Sequence, residues 1–343
     1  MKALVKTAKG VGHIEYTDFP EPEPGPGQVK IRVKACGICG TDLHIQHDSF
    51  PNFPPVVMGH EFSGVIESLG PGAKGVAVGQ RVVSEVLYDT CRECRACKTG
   101  YDNLCLTRRG LGWAANGAFA TFTVVDADRV HPIPDTLSFE EAALAEPLAC
   151  CVCAVCELTQ VTAGDVVLVS GPGPMGLLTV QCALAEGGYV VVTGIASDAL
   201  RLQLALDLGA HEVLNVQTED VVGRLRELTG GLGADVVFEC SGAAAAARTG
   251  LQAARKGGKY SQVGLFGRPV ELELDQVVLK ELRLYGTFSS NWRGWDRGLR
   301  LAAQRRVRLR PIVSHIFPLP EWEKAFELAS SGQGLKILLV PAE

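Results

Sequence analysis

Long apolar runs are absent from this 343-residue sequence, and none approaches the roughly 18 residues that a membrane-spanning helix needs. The first residues, MKALVKTAKG, also lack the apolar centre of a signal peptide. Neither charge is in large excess, because the formal net charge is −5, so the chain has no general attraction for nucleic acid or anionic membranes. We therefore expect a cytoplasmic protein with neither nucleic-acid nor membrane partners.

The first part of the chain has the pattern of β-strands. VKIRVKA (residues 29–35) alternates apolar and polar residues, and GHEFSGVIESLG (59–70) and GQRVVSEV (79–86) continue this pattern with glycine at the breaks. The whole chain is longer than the size at which one hydrophobic core usually stops growing. We therefore expect two domains, of which the first is mostly β.

From about residue 150 the pattern changes to alternating strands and helices. Short apolar runs such as VVLVS (166–170), YVVVT (189–193) and ADVVFEC (234–240) are separated by helical stretches, which predicts a doubly wound parallel sheet of the α/β class. The alternation ends after residue 288, and the segment 315–332 has one amphipathic helix that we expect to rejoin the first domain. The predicted boundaries are 1–150 with 289–343, and 151–288.

A glycine-rich turn follows the first strand of the predicted parallel sheet. Gly171, Gly173 and Gly176, with Pro174 and Met175 between them, have the GxGxxG spacing between a predicted strand and a predicted helix. Such glycines allow the backbone to approach a pyrophosphate at the helix N-terminus. The turn predicts a bound dinucleotide.

The acidic residue that usually selects NAD is missing from its expected place. About 20 residues after the turn, where an acid would bind the ribose 2′-hydroxyl, the chain has Gly194, and Asp198 comes four residues later. Ser197 and Arg201 could donate hydrogen bonds to a 2′-phosphate, although a solvated helix position explains Arg201 equally well. The sequence thus favours NADP, or the use of both cofactors.

Residues 37–61 contain the densest set of potential metal ligands. Cys39, His60 and Glu61 supply a thiolate, an imidazole and a carboxylate, the three ligand types that suit zinc. A zinc ion with three protein ligands keeps a fourth position open, where it makes an alcohol more acidic. Thr41 and His44 add groups that can move a proton. This segment therefore predicts alkoxide chemistry.

Four further cysteines form a compact cluster with the spacing C-x2-C-x2-C-x7-C. Four thiolates close a tetrahedral zinc site and leave no position for chemistry, so we expect a structural zinc, with a redox or iron–sulfur cluster as the alternative. The six cysteines at 150, 151, 153, 156, 182 and 240 are expected to be small buried hydrophobic residues. The proposed structural ligands are Cys91, Cys94, Cys97 and Cys105.

Together, CGICGTDLH, GHE, the four-cysteine cluster, EPL (146–148) and GPGPMG resemble the zinc-dependent medium-chain dehydrogenases, and most closely their sorbitol (polyol) and threonine dehydrogenase branch. The resemblance covers nearly the whole chain. It implies a GroES-like, mostly β catalytic domain with two zinc ions and a Rossmann domain that binds NAD or NADP. It also implies a homo-oligomer, a tetramer or a dimer, whose Rossmann sheets pair at an edge strand.

The resemblance assigns roles to individual residues. Cys39, His60 and Glu61 would bind the catalytic zinc, and Glu146 stands where related enzymes have a further ligand, so the choice between the two carboxylates stays open. Asp42 would orient His60 by a hydrogen bond. Thr41 would accept the proton of the alcohol, and His44 would pass it outward through the cofactor ribose while hydride goes to the nicotinamide.

The substrate is less well defined, because the animal polyol enzymes have an aromatic residue after the relay histidine and an Arg-Tyr pair near residue 289. Here Ile45 and the serines Ser289 and Ser290 stand instead. A pocket with Ile45, Phe50, Trp113, Ser289, Ser290 and Asn291 would suit a secondary alcohol, with a sugar alcohol as the leading candidate. L-threonine 3-dehydrogenase is the alternative, for which Arg293 could bind the carboxylate. A non-catalytic NADPH-binding regulator is disfavoured, since every metal ligand is present.

Overall fold

A computed structural model describes residues 1–341. Its strands, in chain order, are β1 (Lys2–Lys6), β2 (Ile14–Asp18), β3 (Gln28–Gly37), β4 (Val56–Val57), β5 (Glu61–Leu69), β6 (Arg81–Ser84), β7 (Leu87–Asp89), β8 (Arg109–Gly110), β9 (Phe122–Asp126), β10 (Val130–Pro132), β11 (Val166–Ser170), β12 (Tyr189–Gly194), β13 (Glu212–Asn215), β14 (Ala234–Glu239), β15 (Ala254–Gln262), β16 (Arg283–Gly286), β17 (Val313–Pro318) and β18 (Lys336–Val340).

The α-helices are α1 (Gly40–Gln46), α2 (Arg95–Lys98), α3 (Phe139–Ala142), α4 (Ala145–Val152), α5 (Pro174–Ala185), α6 (Ala199–Asp207), α7 (Val221–Leu228), α8 (Ala244–Ala253), α9 (Asp275–Leu279), α10 (Trp292–Ala303) and α11 (Trp322–Ser331). A π-helical segment, Cys153–Leu158, continues α4. No helix among the described residues is long and apolar enough to cross a membrane.

The chain divides into two compact units. The first contains residues 1–147, 290–303 and 309–341, and the second contains residues 148–289 and 304–308. The first unit is built around a seven-stranded sheet in the order β10-β6-β5-β3-β18-β17, with β9 paired to β3. The long strand β3 packs Val29, Ile31 and Val33 into the core, as its sequence predicts, whereas Lys30 between them is also buried and only Lys34 is exposed.

The second unit has a six-stranded parallel sheet in the order β13-β12-β11-β14-β15-β16. Counted within the unit, this is the 3-2-1-4-5-6 order of the Rossmann fold, in which a dinucleotide binds where the order reverses, outside the carboxyl ends of the strands. That reversal lies between β11 and β14. The predicted glycine turn directly follows β11, so the fold places it at the reversal.

Helix α10 is an element that the sequence pattern did not predict. Its buried face includes Trp295, Leu299 and Ala302, at the spacing of a helix. The side chain of Asn291 accepts a hydrogen bond from the Gly294 amide at 3.1 Å at the start of the helix. Glycines inside the segment disguise this pattern, because glycine disfavours a helix. Helix α11 was predicted, and it ends at Gly332 in the left-handed conformation.

Candidate metal and cofactor sites

Cys39 is positioned by the start of α1. The carboxylate of Asp42 accepts a hydrogen bond from the Cys39 amide at 2.9 Å, as an acidic residue at the third helical position commonly does. This bond fixes the turn that begins the helix. The Cys39 thiol therefore projects from a defined backbone position.

His60 and Glu61 come from the start of β5, and they meet Cys39. The candidate ligand atoms of Cys39, His60 and Glu61 all lie within 4.8 Å of one another. His60 and Glu61 are buried, and Cys39 is partly exposed. A thiolate, an imidazole and a carboxylate at this spacing can share one zinc ion.

The electrostatics of His60 test whether a cation fits. Burial opposes a positive charge on the ring, yet the pKa of His60 is raised to about 10, because the charge of Cys39, a hydrogen bond to Cys39 and the charges of Asp42 and Glu146 outweigh burial. Within residues 1–341 the buried Nδ1 atom of His60 has no hydrogen-bond partner. Concentrated negative charge around this buried ring is a suitable environment for a divalent cation.

The predicted hydrogen bond between Asp42 and His60 is not formed in the described structure. The Oδ1 atom of Asp42 and the Nδ1 atom of His60 both lack a hydrogen-bond partner, while Oδ2 of Asp42 accepts from Cys39. The prediction of a direct bond was therefore wrong. Asp42 starts the helix and contributes negative charge beside His60 instead.

Glu61 has a partner that the sequence did not reveal. The ammonium group of Lys336, at the start of β18, donates to both carboxylate oxygens of Glu61, at 2.6 and 2.8 Å, and to the carbonyl of Ile38 at 3.1 Å. Lys336 is 4% exposed and Glu61 is 1% exposed. This buried ion pair neutralises one of the two carboxylates that compete for the metal.

Glu146 lies in the first turn of α4 and is also buried. Its charge raises the pKa of both His60 and Lys336, which places its carboxylate in the same electrostatic environment as Cys39 and Glu61. Glu61 thus supplies the carboxylate within 4.8 Å of the Cys39 and His60 ligand atoms, and the charge of Glu146 acts on the same groups.

The two predicted proton carriers lie on α1. The Thr41 hydroxyl oxygen is 3.6 Å from the Cys39 sulfur, and Nδ1 of His44 is 3.1 Å from the Ser49 hydroxyl oxygen. That hydroxyl donates its one proton to the His44 carbonyl at 3.2 Å, so it can only accept from the ring. Nδ1 then carries the proton, and Nε2 is left as the acceptor.

The four cysteines of the second cluster converge. Neighbouring sulfur atoms are 3.5 to 3.9 Å apart, close to the roughly 3.8 Å edge of a tetrahedron with zinc–sulfur bonds of about 2.3 Å. The Cys91 amide donates to the Cys105 sulfur at 3.4 Å and lowers the pKa of Cys105 to about 6. Such a bond favours the thiolate that a metal requires.

The glycine turn has the geometry that a dinucleotide requires. Gly171 is in the left-handed conformation, with φ of 97°, and Gly173 precedes Pro174 at the start of α5. A Cβ atom on Gly176 would lie 1.9 Å from the Gly171 carbonyl oxygen, so this glycine permits the close approach of helix and strand. The backbone of Met175 is held in place because its carbonyl oxygen accepts a hydrogen bond from the Cys151 thiol at 3.3 Å.

The residues expected to select the cofactor lie around the end of β12. Gly194 ends the strand, Ser197 is exposed, and Arg201 is partly buried on α6. The Asp198 carboxylate is folded back: it accepts from the Ile195 amide at 3.1 Å and lies 3.1 Å from where a Cβ atom of Gly194 would be. A carboxylate thus occupies the strand end although its residue comes later in the chain.

The predicted substrate contacts are only partly available. Phe50 and Trp113 pack edge to face, with ring centroids 5.9 Å apart. Ile45 is fully buried in the core, and the Ser290 hydroxyl accepts a hydrogen bond from the Trp295 indole at 3.0 Å. Ile45 and Ser290 therefore have structural roles, and the prediction that they contact substrate finds no support in their surroundings.

Family models match most of the two units. The model described as "Alcohol dehydrogenase GroES-like domain" matches residues 25–135, and the one described as "Zinc-binding dehydrogenase" matches residues 174–304. The chain belongs to the zinc-dependent medium-chain dehydrogenase family. It is a zinc-dependent, NAD(P)-linked alcohol dehydrogenase of the polyol and threonine dehydrogenase branch.

Similar proteins extend over the full length of this dehydrogenase. A sorbitol dehydrogenase of Halalkalibacterium halodurans is 42% identical over 344 residues, covering 100% of both chains. An L-threonine 3-dehydrogenase of Bacillus subtilis is 37% identical and covers 99% of both. A solved zinc-binding dehydrogenase of Sinorhizobium meliloti, bound to NADP, is 33% identical, covers 99% of both chains and has a TM-score of 0.91.

Two residues at the sites of this dehydrogenase were missed by sequence reasoning. Lys336 is the first residue of the strand KILLV, and a lysine within a buried strand is a signal for a buried ion pair. Ser49 lies five residues after His44, in a segment without regular secondary structure, so no periodic pattern points to its hydrogen bond.

Proposed function

We propose that this dehydrogenase oxidises a secondary alcohol of a polyol, with transfer of hydride to NAD(P). The observation that supports the proposal most is the meeting of the Cys39, His60 and Glu61 ligand atoms within 4.8 Å, with Thr41 next to Cys39. The full-length similarity to a sorbitol dehydrogenase favours a polyol. A zinc ion held by these residues would make a bound alcohol more acidic, and a bound nicotinamide would accept its hydride.

Thr41 and His44 are proposed to remove the proton of the alcohol. The Thr41 hydroxyl would accept the proton of the alcohol while releasing its own proton through the cofactor ribose to His44. His44 would take it up at Nε2, which the bond from Nδ1 to Ser49 leaves as the acceptor, and release it to solvent. His44→Ala should slow turnover and leave the zinc content intact. Loss of zinc in that variant would contradict the relay role.

Two zinc ions per chain are proposed. Cys39, His60 and one or both of the carboxylates Glu61 and Glu146 would hold the catalytic ion, while the four-cysteine cluster would hold a structural one. Cys39→Ser or His60→Ala should abolish activity and remove about one zinc per chain. An unchanged metal content would show that these residues are not ligands.

NADP, or the use of both cofactors, is proposed in line with Gly194, Ser197 and Arg201, and with the similar NADP-bound structure. The Asp198 carboxylate opposes a 2′-phosphate, and Arg201, 3.7 Å from it, would offset this charge. Arg201→Ala should therefore raise KM for NADP more than KM for NAD. Equal changes would contradict the proposed role of Arg201.

A homo-oligomer, dimer or tetramer, is proposed to form through β16. This strand lies at the edge of the parallel sheet, so its outer backbone groups can pair with another strand. Leu284 on this strand is exposed, as are Leu274, Val278 and Leu279 on and beside α9. Leu284→Asp should lower the mass measured by light scattering after gel filtration, and an unchanged mass would contradict this interface.

A cytoplasmic location is proposed because zinc-binding thiols must stay reduced.

The decisive assay compares substrates and cofactors on one sample. Reduction of NAD and of NADP is measured with polyols, simple secondary alcohols and L-threonine, and the zinc content is determined in parallel. Polyol turnover that depends on zinc is expected. Turnover of threonine alone would establish the alternative that the B. subtilis relative supports, for which the exposed Arg293 is the candidate carboxylate contact. Absence of turnover with every substrate would favour a regulator.

A further inference from the structure

Glu239 is a completely buried carboxylate at the carboxyl end of β14, and no step proposed above uses it. It is 0% exposed. One of its oxygens accepts hydrogen bonds from the Ser241 amide, at 2.8 Å, and from the Ser241 hydroxyl. The other accepts from the Gly242 amide at 3.1 Å and from the Gln262 side-chain amide at 2.6 Å. Four donors thus converge on one buried anion.

The turn held by Glu239 packs against the glycine turn. The Cys240 amide donates to the Ser170 carbonyl at 2.9 Å, which joins the two strand ends. A Cβ atom on Gly171 would lie 2.6 Å from Cβ of Ser241, so the backbone of the glycine turn touches the Ser241 side chain. Any shift of the turn at residues 240–242 would therefore move Gly171.

Glu239 also helps to fix the loop that follows β15, through its backbone and its side chain. The backbone carbonyl of Glu239 accepts from the amides of Val263 and Gly264, at 2.9 and 2.8 Å. Gln262 is held in place because its side-chain oxygen accepts from the Tyr260 hydroxyl at 2.9 Å and its amide also donates to the Gly264 carbonyl at 2.8 Å. One residue therefore connects the loops after β11, β14 and β15.

All three loops lie at the carboxyl ends of parallel strands, and the first two flank the reversal of strand order at which dinucleotides bind. We propose that Glu239 is a positioning residue that shapes the binding site of the nicotinamide cofactor without contacting the reacting atoms. The inference rests on the use of NAD(P) by this family. It adds a residue that the GxGxxG pattern does not include.

A carboxylate is the side chain that this position requires. Each of its oxygens faces two donors, so both must be acceptors. A glutamine has the same shape, but its amide nitrogen would face two hydrogen-bond donors, either those of Ser241 or those of Gly242 and Gln262. Glu239→Gln therefore preserves volume and changes only the hydrogen bonds that hold the turn.

A matched control exists in the same sheet. Glu212 begins β13, at the amino ends of the strands, and accepts hydrogen bonds from the Arg224 guanidinium, at 2.8 Å from each of two nitrogens, and from the Tyr189 hydroxyl at 2.9 Å. Glu212→Gln also removes a carboxylate held by several donors, but it does so far from the glycine turn along the strands.

The test uses the zinc-loaded enzyme. The Kd for NADH and for NADPH is measured by titration of nucleotide fluorescence, together with KM for the cofactor, kcat at saturating cofactor, and the melting temperature. We expect Glu239→Gln to raise Kd and KM for the cofactor about tenfold, with kcat changed less than about threefold. Glu212→Gln should lower the melting temperature while its Kd stays within about twofold of the wild type.

Two results would overturn the inference. The first is that Glu239→Gln binds the cofactor with the Kd of the wild type. The second is that Glu212→Gln raises Kd as much as Glu239→Gln does, which would show that the whole sheet has become less stable. If Glu239→Gln fails to fold, Ser241→Ala removes one of the four bonds and should still raise Kd about threefold, whereas an unchanged Kd would contradict the inference. A wild-type enzyme that binds neither nucleotide would instead refute the proposed function itself.

Discussion

Replacing Lys336 by methionine should destabilise the first unit by about 3–5 kcal/mol, the range found when one partner of a buried ion pair is removed. Methionine keeps most of the aliphatic stem and removes the ammonium group, so the change isolates the charge. The Glu61 carboxylate would lose its partner at 2.6 and 2.8 Å while remaining 1% exposed. The Ile38 carbonyl would lose a donor as well.

The surroundings of the pair leave it little room to relax. A Cβ atom on Gly37 would lie 2.4 Å from one Glu61 oxygen and 3.2 Å from the Lys336 side chain, so the backbone already contacts both partners. For this reason we expect the cost to fall within the full range for buried pairs rather than near that of surface pairs, which is about 0–1 kcal/mol.

The assay is a double-mutant cycle with Lys336→Met, Glu61→Gln and the combined variant. Urea unfolding of the first unit gives the free energy of each, and zinc content is measured on the same samples to separate ion-pair loss from metal loss. The combined variant should be more stable than either single variant, because it leaves no unpaired buried charge. Single variants within about 1 kcal/mol of the wild type, or strictly additive costs, would refute the reasoning.

Three other perturbations test separate parts of the structure. Ser49→Ala removes the hydrogen bond that orients the ring of His44, so kcat measured in steady-state assays across pH should fall about tenfold while the zinc content stays unchanged. An unchanged pH profile would contradict the assigned tautomer of His44. Cys105→Ser should remove about one zinc per chain, measured by atomic emission, and lower the melting temperature; full zinc retention would argue against a structural site. The Arg224 guanidinium lowers the pKa of Glu212 below its usual 4.5, so this pair stabilises the fold fully above pH 4.5 and loses its effect as pH falls through the lowered pKa. The stability difference between wild type and Glu212→Gln in urea should therefore shrink below pH 4.5, and a constant difference would contradict the ion pair.

Much of the fold follows from local sequence patterns. The parallel strands were predicted because buried strands such as β11 and β12 are continuous apolar runs, and the Rossmann unit is built from contacts between neighbouring segments. Helix α10 was not predicted because Gly294 and Gly298 weaken its helical sequence pattern. The tertiary packing of Trp295 stabilises the helix nevertheless. Helix propensity is therefore a weak predictor where the burial of side chains determines the secondary structure.

The residues of the candidate sites also fall into two groups, those that a local sequence pattern reveals and those that it does not. Cys39, His60 and the glycine turn have characteristic neighbours in the sequence, so a pattern can find them. Lys336 lies 275 residues from Glu61, and Asp198 reaches the end of β12 only because a turn folds it back. Contacts of this kind depend on which strands become neighbours and on the conformation of the turns. The spacing of residues along the chain does not reveal either of these.

The pairing of β18 with β3, beside the metal ligands, also has a consequence for the order in which the protein forms. The second unit is nearly continuous in sequence, and its βαβ contacts are local, so it can fold without the first. The pair between Glu61 and Lys336 instead closes a loop of 275 residues that contains that unit, and closing a loop of this length costs about 5 kcal/mol of chain entropy. We therefore expect the catalytic centre to mature late in folding, after the nucleotide-binding half is already in place.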